Sequence, residues 1–406
     1  MTDTFIIVGA GQAGGQAAAT LRSKGFEGRI VLIGEENYVP YERPPLSKAF
    51  LAGELPVEKT FLKKPDFYDN KNIELRLGRR VVAIDRQART VNLDNGESIG
   101  YDKLLLATGS RVRKLTVPGA ELSGIHYLRD IADVEGIRAA MKPGARLAIV
   151  GAGYIGLEVA AVARKLGHEV TVVEALDRVM ARVVAPQVSA FYEKVHREAG
   201  VDLRLGTGLT AFEGDGRFEQ LRLTDGSAVP GDLAVVGIGI VPNVELAQEI
   251  GLKVDNGIVV DEYGRTEDPD IFAAGDVTNH PNAILGRNIR LESVQNAMSQ
   301  AMAAALAMLG HLEAYNEVPW FWSDQYDLKL QIAGLWEPDD EIVVRGDMES
   351  RKFSVVYLRD GAIAAINVIN NMRDFLPAKK LIEAKSKVDP ARLADPEVPL
   401  KEFLTT

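Results

Sequence analysis

Two short glycine runs in this chain could each cradle a pyrophosphate. Gly9, Gly11 and Gly14 follow the apolar run 4–8, and Gly151, Gly153 and Gly156 follow the apolar run 146–150. In a strand–turn–helix unit the first glycine permits the tight turn. The second leaves out a side chain so that the backbone can approach the phosphates, and the third lets the helix pack closely on the sheet. The helix that follows turns its positive N-terminal end toward the same phosphates. An acid stands about 20 residues beyond each third glycine, Glu35 in the first unit and Glu174 in the second. There a carboxylate accepts a hydrogen bond from a ribose 2′-hydroxyl and repels a 2′-phosphate. Glu174 therefore favours NAD over NADP, while Arg178 and Arg182 leave phosphate recognition open. Two such units point to two dinucleotides on one chain, with electrons passing between them.

The elements that must position these glycines can be read around them. Helices are expected over 12–24 and 154–166, the second stopped by Gly167, with strands over 29–33 and 169–173 leading into the two acids. Each fingerprint is followed at a comparable distance by a further apolar strand ending in small residues: Leu104-Leu105-Leu106-Ala107-Thr108-Gly109, then Leu233-Ala234-Val235-Val236-Gly237-Ile238-Gly239. This is an internal duplication of a nucleotide-binding unit. A third apolar run, Ile271-Phe272-Ala273-Ala274, ends at Gly275-Asp276, which puts an aspartate at the carboxyl end of a strand, where open parallel sheets bind ligands. Beyond Pro319 the pattern changes to alternating runs at 328–333, 341–345, 353–358 and 362–369, followed by a helix over 375–387. That reads as an appended α+β domain.

Composition narrows the chemistry. With no cysteine in 406 residues, the chain has no redox disulfide, no catalytic thiol and no cysteine-ligated cluster. A net charge of −10 argues against nucleic acid. The most apolar helical stretch, 297–309, is alanine-rich and interrupted by Ser299 and Gln300, so no membrane span is expected, and the early strand leaves no room for a signal peptide. A cytoplasmic protein is expected. The five histidines, 126, 168, 196, 280 and 311, show no metal spacing and read as surface or capping residues.

Together with Tyr41-Glu42-Arg43-Pro44-Pro45-Leu46-Ser47-Lys48, Ala274-Gly275-Asp276 and Phe321-Trp322-Ser323-Asp324-Gln325-Tyr326, these motifs make the chain resemble the FAD-dependent NADH:ferredoxin reductases of bacterial oxygenase systems, and more broadly the glutathione reductase-type fold. The resemblance implies two Rossmann-like domains and a C-terminal α+β domain. A split FAD domain (1–112 and 243–318) receives an inserted NAD domain (113–242), and 319–406 follow. It implies that non-covalent FAD is held by Gly9, Gly11, Gly14, Glu35, Arg43, Lys48, Thr108, Gly109, Asp276, Val294 and Trp322. NADH would be held by Gly151, Gly153, Ile155, Gly156, Glu158, Glu174, Arg182, Gly237 and Gly239. In this reading Lys48 lies near flavin N5 with Glu158 as its partner, and these two are the catalytic residues. Trp322 lies near the flavin ring, and no metal is involved.

The implied reaction is hydride transfer from NADH to FAD, then single-electron transfer to an acidic [2Fe–2S] ferredoxin that feeds a haem-thiolate or Rieske-type oxygenase. Arg287, Arg290, Lys329 and Arg373 are candidates for the ferredoxin dock on a monomer or weak dimer. Two alternatives use the same sites. One is an NADH oxidoreductase for a quinone, an organic radical or oxygen. The other is a binding protein regulated by its redox state, like apoptosis-inducing factor.

Overall fold

The computed structural model describes residues 3–404. The chain forms two compact units. The first comprises the chain through Arg43, Val57–Arg111 and Val241–Pro319; the second comprises Pro44–Pro56, Val112–Ile240 and the chain from Trp320 onward. The loop Pro44–Pro56, drawn with the FAD domain in the sequence reading, clusters with the second unit, where it carries Ser47 and Lys48 to a buried acid.

In the first unit Thr4–Val8 is the middle strand of a five-stranded parallel sheet. Arg29–Gly34 and then Ile73–Leu77 lie to one side, and Lys103–Leu106 and then Ile271–Ala273 to the other. These strands are nearly continuous apolar runs because helices or loops cover both faces. The register sets Val8 level with both Ile33 and Leu106, so the loops leaving these strands open at one edge. The direction of winding reverses at Thr4–Val8, the topological switch point at which such sheets bind ligands. On one face the helix Gln12–Ser23 packs against Val294–Met308. Ala13, Ala17 and Ala18 join Ala297, Ala301 and Ala304 in one buried cluster, and side chains this small let two helices approach closely.

The second unit repeats the plan. Arg146–Val150 is flanked by Glu169–Val173 and Asp202–Arg204 on one side and by Leu233–Val236 and Ile125–Tyr127 on the other. Val150 is level with Val173 and Val236. This unit also holds an antiparallel five-stranded sheet in the order Trp320–Gln325, Leu328–Gly334, Ala362–Ile369, Lys352–Arg359, Glu341–Asp347. Asp360 and Gly361 both take positive φ, 52° and 77°, in the two-residue turn between its adjacent long strands, the Asp-Gly turn that a twisted hairpin favours. Arg345 is buried in this sheet. It bonds Asp374 and the carbonyls of Leu393, Asp395, Pro396 and Val398, which ties the C-terminal tail down.

Trp320–Gln325 is a strand, although its sequence shows no apolar–polar alternation. The helix expected over 375–387 ends at Glu383, where Ser386 N–H closes back onto the Leu381 carbonyl and Lys385 takes a φ of 49°. Among the described residues, no helix is long and apolar enough to cross a membrane.

Candidate functional sites

Each fingerprint builds a cradle, and each glycine in it has its own reason. Gly9 has a φ of 113°, and a Cβ there would lie 2.1 Å from the Ala107 carbonyl oxygen, on the neighbouring loop at the switch point. A Cβ on Gly14 would lie 1.8 Å from the Gly9 oxygen. A Cβ on Gly11 would meet nothing within 4 Å. Packing therefore explains Gly9 and Gly14 but not Gly11, whose missing side chain leaves open space. The second unit matches position for position. Gly151 has a φ of 104° with the Gly237 oxygen 2.4 Å from its would-be Cβ, Gly156 would strike the Gly151 oxygen at 2.0 Å, and Gly153 faces open space. Gly11 and Gly153 are the N-caps of the helices Gln12–Ser23 and Tyr154–Lys165, and neither helix has a side-chain cap. Uncapped N–H groups beside open space, at the positive end of a helix, fit a pyrophosphate. The residues present therefore suit one dinucleotide on each unit.

In the first unit the Glu35 side chain is 72% exposed at the end of its strand, with Arg80 3.8 Å away, a loose pair that leaves the carboxylate accessible. Arg43 donates to Glu36 at 2.9 Å and lies over the Tyr41 ring, so a carboxylate fixes its guanidinium. Thr108 Oγ1 donates to the Asn243 carbonyl at 2.8 Å, and Asn243 Nδ2 donates back to the Thr108 carbonyl at 2.9 Å. Gly109 continues that loop with a φ of 61°. Asp276 follows Ile271–Ala273 and accepts the Ser110 hydroxyl at 2.9 Å. Its neighbour Gly275 packs on Ala13, so this loop lies beside the start of the fingerprint helix. Val294 opens the helix Val294–Met308 behind the N-cap Ser293.

In the second unit Glu174 accepts the Ala152 N–H at 2.8 Å on one oxygen and the Leu176 N–H at 2.9 Å on the other. The fingerprint backbone thus orients the acid, and each oxygen keeps a lone pair for a further donor. Arg178 spends its guanidinium on the Ala181 and Val184 carbonyls and on Ser189 Oγ, which makes it a structural residue. Arg182 is exposed. Ile155 is 40% exposed on the first turn of its helix, and Gly239 is exposed with a φ of 102° in the loop that Gly237 begins.

The same unit brings Lys48 and Glu158 together. Pro44-Pro45 presets a short 3₁₀ turn, Pro44–Ser47, which delivers Ser47 and Lys48 to the helix bearing Glu158. Lys48 Nζ lies 2.7 Å from Glu158 Oε2, and Ser47 Oγ donates to the same oxygen. Ser323 Oγ donates to Oε1 at 2.6 Å. Glu158 is 2% exposed and the Lys48 side chain 20%, so the pair reaches solvent only at its lysine end. A buried carboxylate needs such partners, and all of these come from outside its own helix. Trp322, on the adjacent strand, packs its ring 5.5 Å from Trp320. Phe321 on the opposite face meets the Tyr154 ring at 4.7 Å.

The sequence reading of the histidines needs correction. His196 is fully buried, His280 is 1% exposed and His168 5%. His196 and His280 are each pushed down to about 4, chiefly by desolvation, and so are neutral. Of the dock candidates, Arg287, Lys329 and Arg373 are exposed, whereas the Arg290 side chain is only 15% exposed and pairs with Glu292.

A family described as pyridine nucleotide-disulphide oxidoreductase matches residues 3–301, and one described as reductase C-terminal matches 320–404. The chain is 47% identical over 401 residues to the 5,5′-dehydrodivanillate O-demethylase ferredoxin reductase subunit of Sphingobium sp., covering 98% of this chain and 97% of the relative. It is 43% identical to putidaredoxin reductase of Pseudomonas putida, covering 99% and 97%. The crystal structure of a covalent putidaredoxin reductase–putidaredoxin complex superimposes with a TM-score of 0.96 at 43% identity, covering 99% of this chain and 98% of that one.

Proposed function

The chain belongs to the pyridine nucleotide-disulphide oxidoreductase family, and we propose that within it this protein is a ferredoxin reductase that takes a hydride from NADH and passes single electrons to a [2Fe–2S] ferredoxin serving an oxygenase. The observation that carries this reading is the duplicated cradle: two glycines, Gly11 and Gly153, stand in open space at two uncapped helix N-termini, each followed by an acid at the end of the next strand. The absence of cysteine excludes the disulfide chemistry in the family's name, so the electrons leave by another route. Relatives named as ferredoxin reductases of a demethylase and of dioxygenase systems supply the acceptor class.

In this reading FAD, when bound, supplies the exchange between a two-electron donor and a one-electron acceptor. The first fingerprint holds its pyrophosphate, Glu35 its adenosine ribose and Asp276 its ribityl chain. Arg43, Thr108, Gly109 and Val294 complete that set. The second fingerprint, with Ile155, Gly237 and Gly239, holds NADH. Glu174 accepts the ribose hydroxyl and disfavours NADPH. Arg182 is exposed in the same unit, and its guanidinium would decide how far a 2′-phosphate is tolerated. Lys48 would offset negative charge on the bound flavin, and Glu158, which fixes that lysine, would meet the nicotinamide carboxamide. Binding would contribute by holding donor and acceptor close, and Trp322 would help to exclude water.

The ferredoxin is acidic. Because the reductase itself carries −10, docking needs a local basic patch. Lys329 and Arg373 serve this in the second unit, where Met372 and Leu376 are 51% and 67% exposed next to Arg373. Arg287 is a separate candidate on the first unit. The reductase acts as a monomer or weak dimer in the cytoplasm. The test is anaerobic: NADH-reduced holoprotein is mixed with a [2Fe–2S] ferredoxin or with a quinone. Faster electron transfer to the ferredoxin, slowed by salt and by neutralising Arg287, Lys329 and Arg373 together, supports the reading. Preference for the quinone, with no salt effect, favours a small-acceptor oxidoreductase.

A further inference from the structure

His196 has no place in either dinucleotide cradle, yet it is fully buried in the core that holds Glu158. It lies on the helix Pro186–Glu198, and its ring is one link in a chain of hydrogen bonds. The Tyr326 hydroxyl is 3.1 Å from His196 Nδ1, and His196 Nε2 is 2.8 Å from Gln325 Oε1. Gln325 Nε2 donates to Ser323 Oγ at 3.1 Å, and Ser323 Oγ donates to Glu158 Oε1 at 2.6 Å. The other oxygen of Glu158 faces Ser47 and Lys48.

The direction of this chain follows from chemistry. An amide oxygen can only accept, so His196 Nε2 carries the proton and the bare Nδ1 accepts from Tyr326. Each donor from Tyr326 inward then points toward Glu158. Desolvation keeps the ring neutral, so one tautomer persists at neutral pH. Strand periodicity puts Ser323 and Gln325, two residues apart, on the same buried face. Tyr326 starts the following turn with a φ of 55°, a conformation a bulky side chain rarely takes, and its hydroxyl bond to His196 holds it there. The other titratable groups facing Glu158 are Tyr154 and Tyr192, both pushed up by burial and neutral. Asp324 and Asp327 act on Tyr192, and Arg164 acts on Tyr326. The Gln325 amide breaks any path for proton hopping, so the chain orients rather than conducts.

We propose that His196 is a positioning residue. Through Gln325 and Ser323 it holds the Glu158 carboxylate in one orientation opposite Lys48. This rests on the reading that the Lys48–Glu158 pair acts on the bound flavin. The experiment uses holoprotein at pH 7.5 and the variants His196→Leu, His196→Gln, Gln325→Leu and Glu158→Gln. It reads the limiting rate of flavin reduction, the half-saturating NADH concentration, the flavin midpoint potential and the melting temperature.

His196→Leu and Gln325→Leu are expected to slow limiting reduction three- to tenfold. They should also move the oxidised–reduced equilibrium by up to tenfold, about 30 mV for a two-electron couple. His196→Gln keeps a donor at the Nε2 position and is expected to return both readouts to within about twofold of wild type. Should Glu158→Gln change rate and potential while His196→Leu and Gln325→Leu change only the melting temperature, His196 is packing and the proposal is overturned. Should Glu158→Gln change neither, the reading beneath it fails and takes the proposal with it. If His196→Leu does not fold, Gln325→Leu against His196→Gln carries the same comparison.

Discussion

Lys48 Nζ and Glu158 Oε2 stand 2.7 Å apart across 110 residues of sequence, with the carboxylate buried and the lysine at its only edge toward solvent. Ser47 and Ser323 complete the carboxylate's partners from two further directions. Lys48→Met removes the cation and leaves Glu158 with hydroxyl donors alone. We expect a stability loss of about 1–3 kcal/mol, discounted from a fully buried pair because of the lysine's exposure. We also expect flavin reduction by NADH to slow roughly tenfold, about 1.4 kcal/mol of barrier. Denaturant melts and stopped-flow absorbance measure the two effects separately.

The glycines of one fingerprint should separate by role. Gly153→Ala adds a methyl into open space and is expected to leave the melting temperature within about 1 °C while raising the NADH requirement at least tenfold. Gly156→Ala drives a Cβ to 2.0 Å from a backbone oxygen and is expected to destabilise the fold by several degrees with or without NADH. Equal melting temperatures for the two variants would contradict the reading of Gly153 as a ligand position.

Glu174 should set cofactor choice. Glu174→Ser removes the charge that repels a 2′-phosphate, while the fingerprint backbone that oriented the acid stays in place. The expected outcome is an NADH KM raised roughly tenfold, an NADPH KM lowered, and kcat changed less than about twofold, the pattern of an interaction used for binding alone. Steady-state kinetics with both coenzymes measures it.

Two buried histidines predict an acid-side loss of stability. Each has a folded pKa of about 4 against 6.5 when exposed, so between these values the unfolded chain binds protons that the folded chain does not. Their stabilisation is complete above about pH 6.5 and is lost as pH falls toward 4, on the order of 3 kcal/mol each. His196→Gln should flatten part of that slope in melts between pH 7 and pH 4.5, and an unchanged slope would remove His196 from the account.

The parts legible in the sequence are those imposed by local backbone demands. A turn with a φ of 113° at Gly9, a collision 1.8 Å from a Gly14 Cβ and an acid at a fixed strand end all leave marks within about 25 residues. What was not legible depends on distant segments meeting. Trp320–Gln325 hides its strand period because aromatic side chains occupy both faces and the buried polar residues, Ser323 and Gln325, occupy positions where a core strand would be apolar. Its polarity makes sense only once Glu158 and His196 are seen to need partners. His196 likewise looks like a surface residue near a helix end until the strand that covers it is in place. The resemblance paired Lys48 with Glu158, but residue spacing alone could not show that the loop 44–56 clusters with the second unit, since the two residues lie more than 100 positions apart.

The central claim is that this chain carries electrons from NADH through a bound flavin to a one-electron protein acceptor. Anaerobic stopped flow tests it most directly. One equivalent of NADH should bleach the flavin of the holoprotein at a saturating rate, at least tenfold faster than NADPH does. The reduced protein should then reduce two equivalents of an acidic [2Fe–2S] ferredoxin, more slowly as salt rises. Faster bleaching by NADPH, or a reduced flavin that persists in the presence of such ferredoxins while a quinone reoxidises it, would contradict the account.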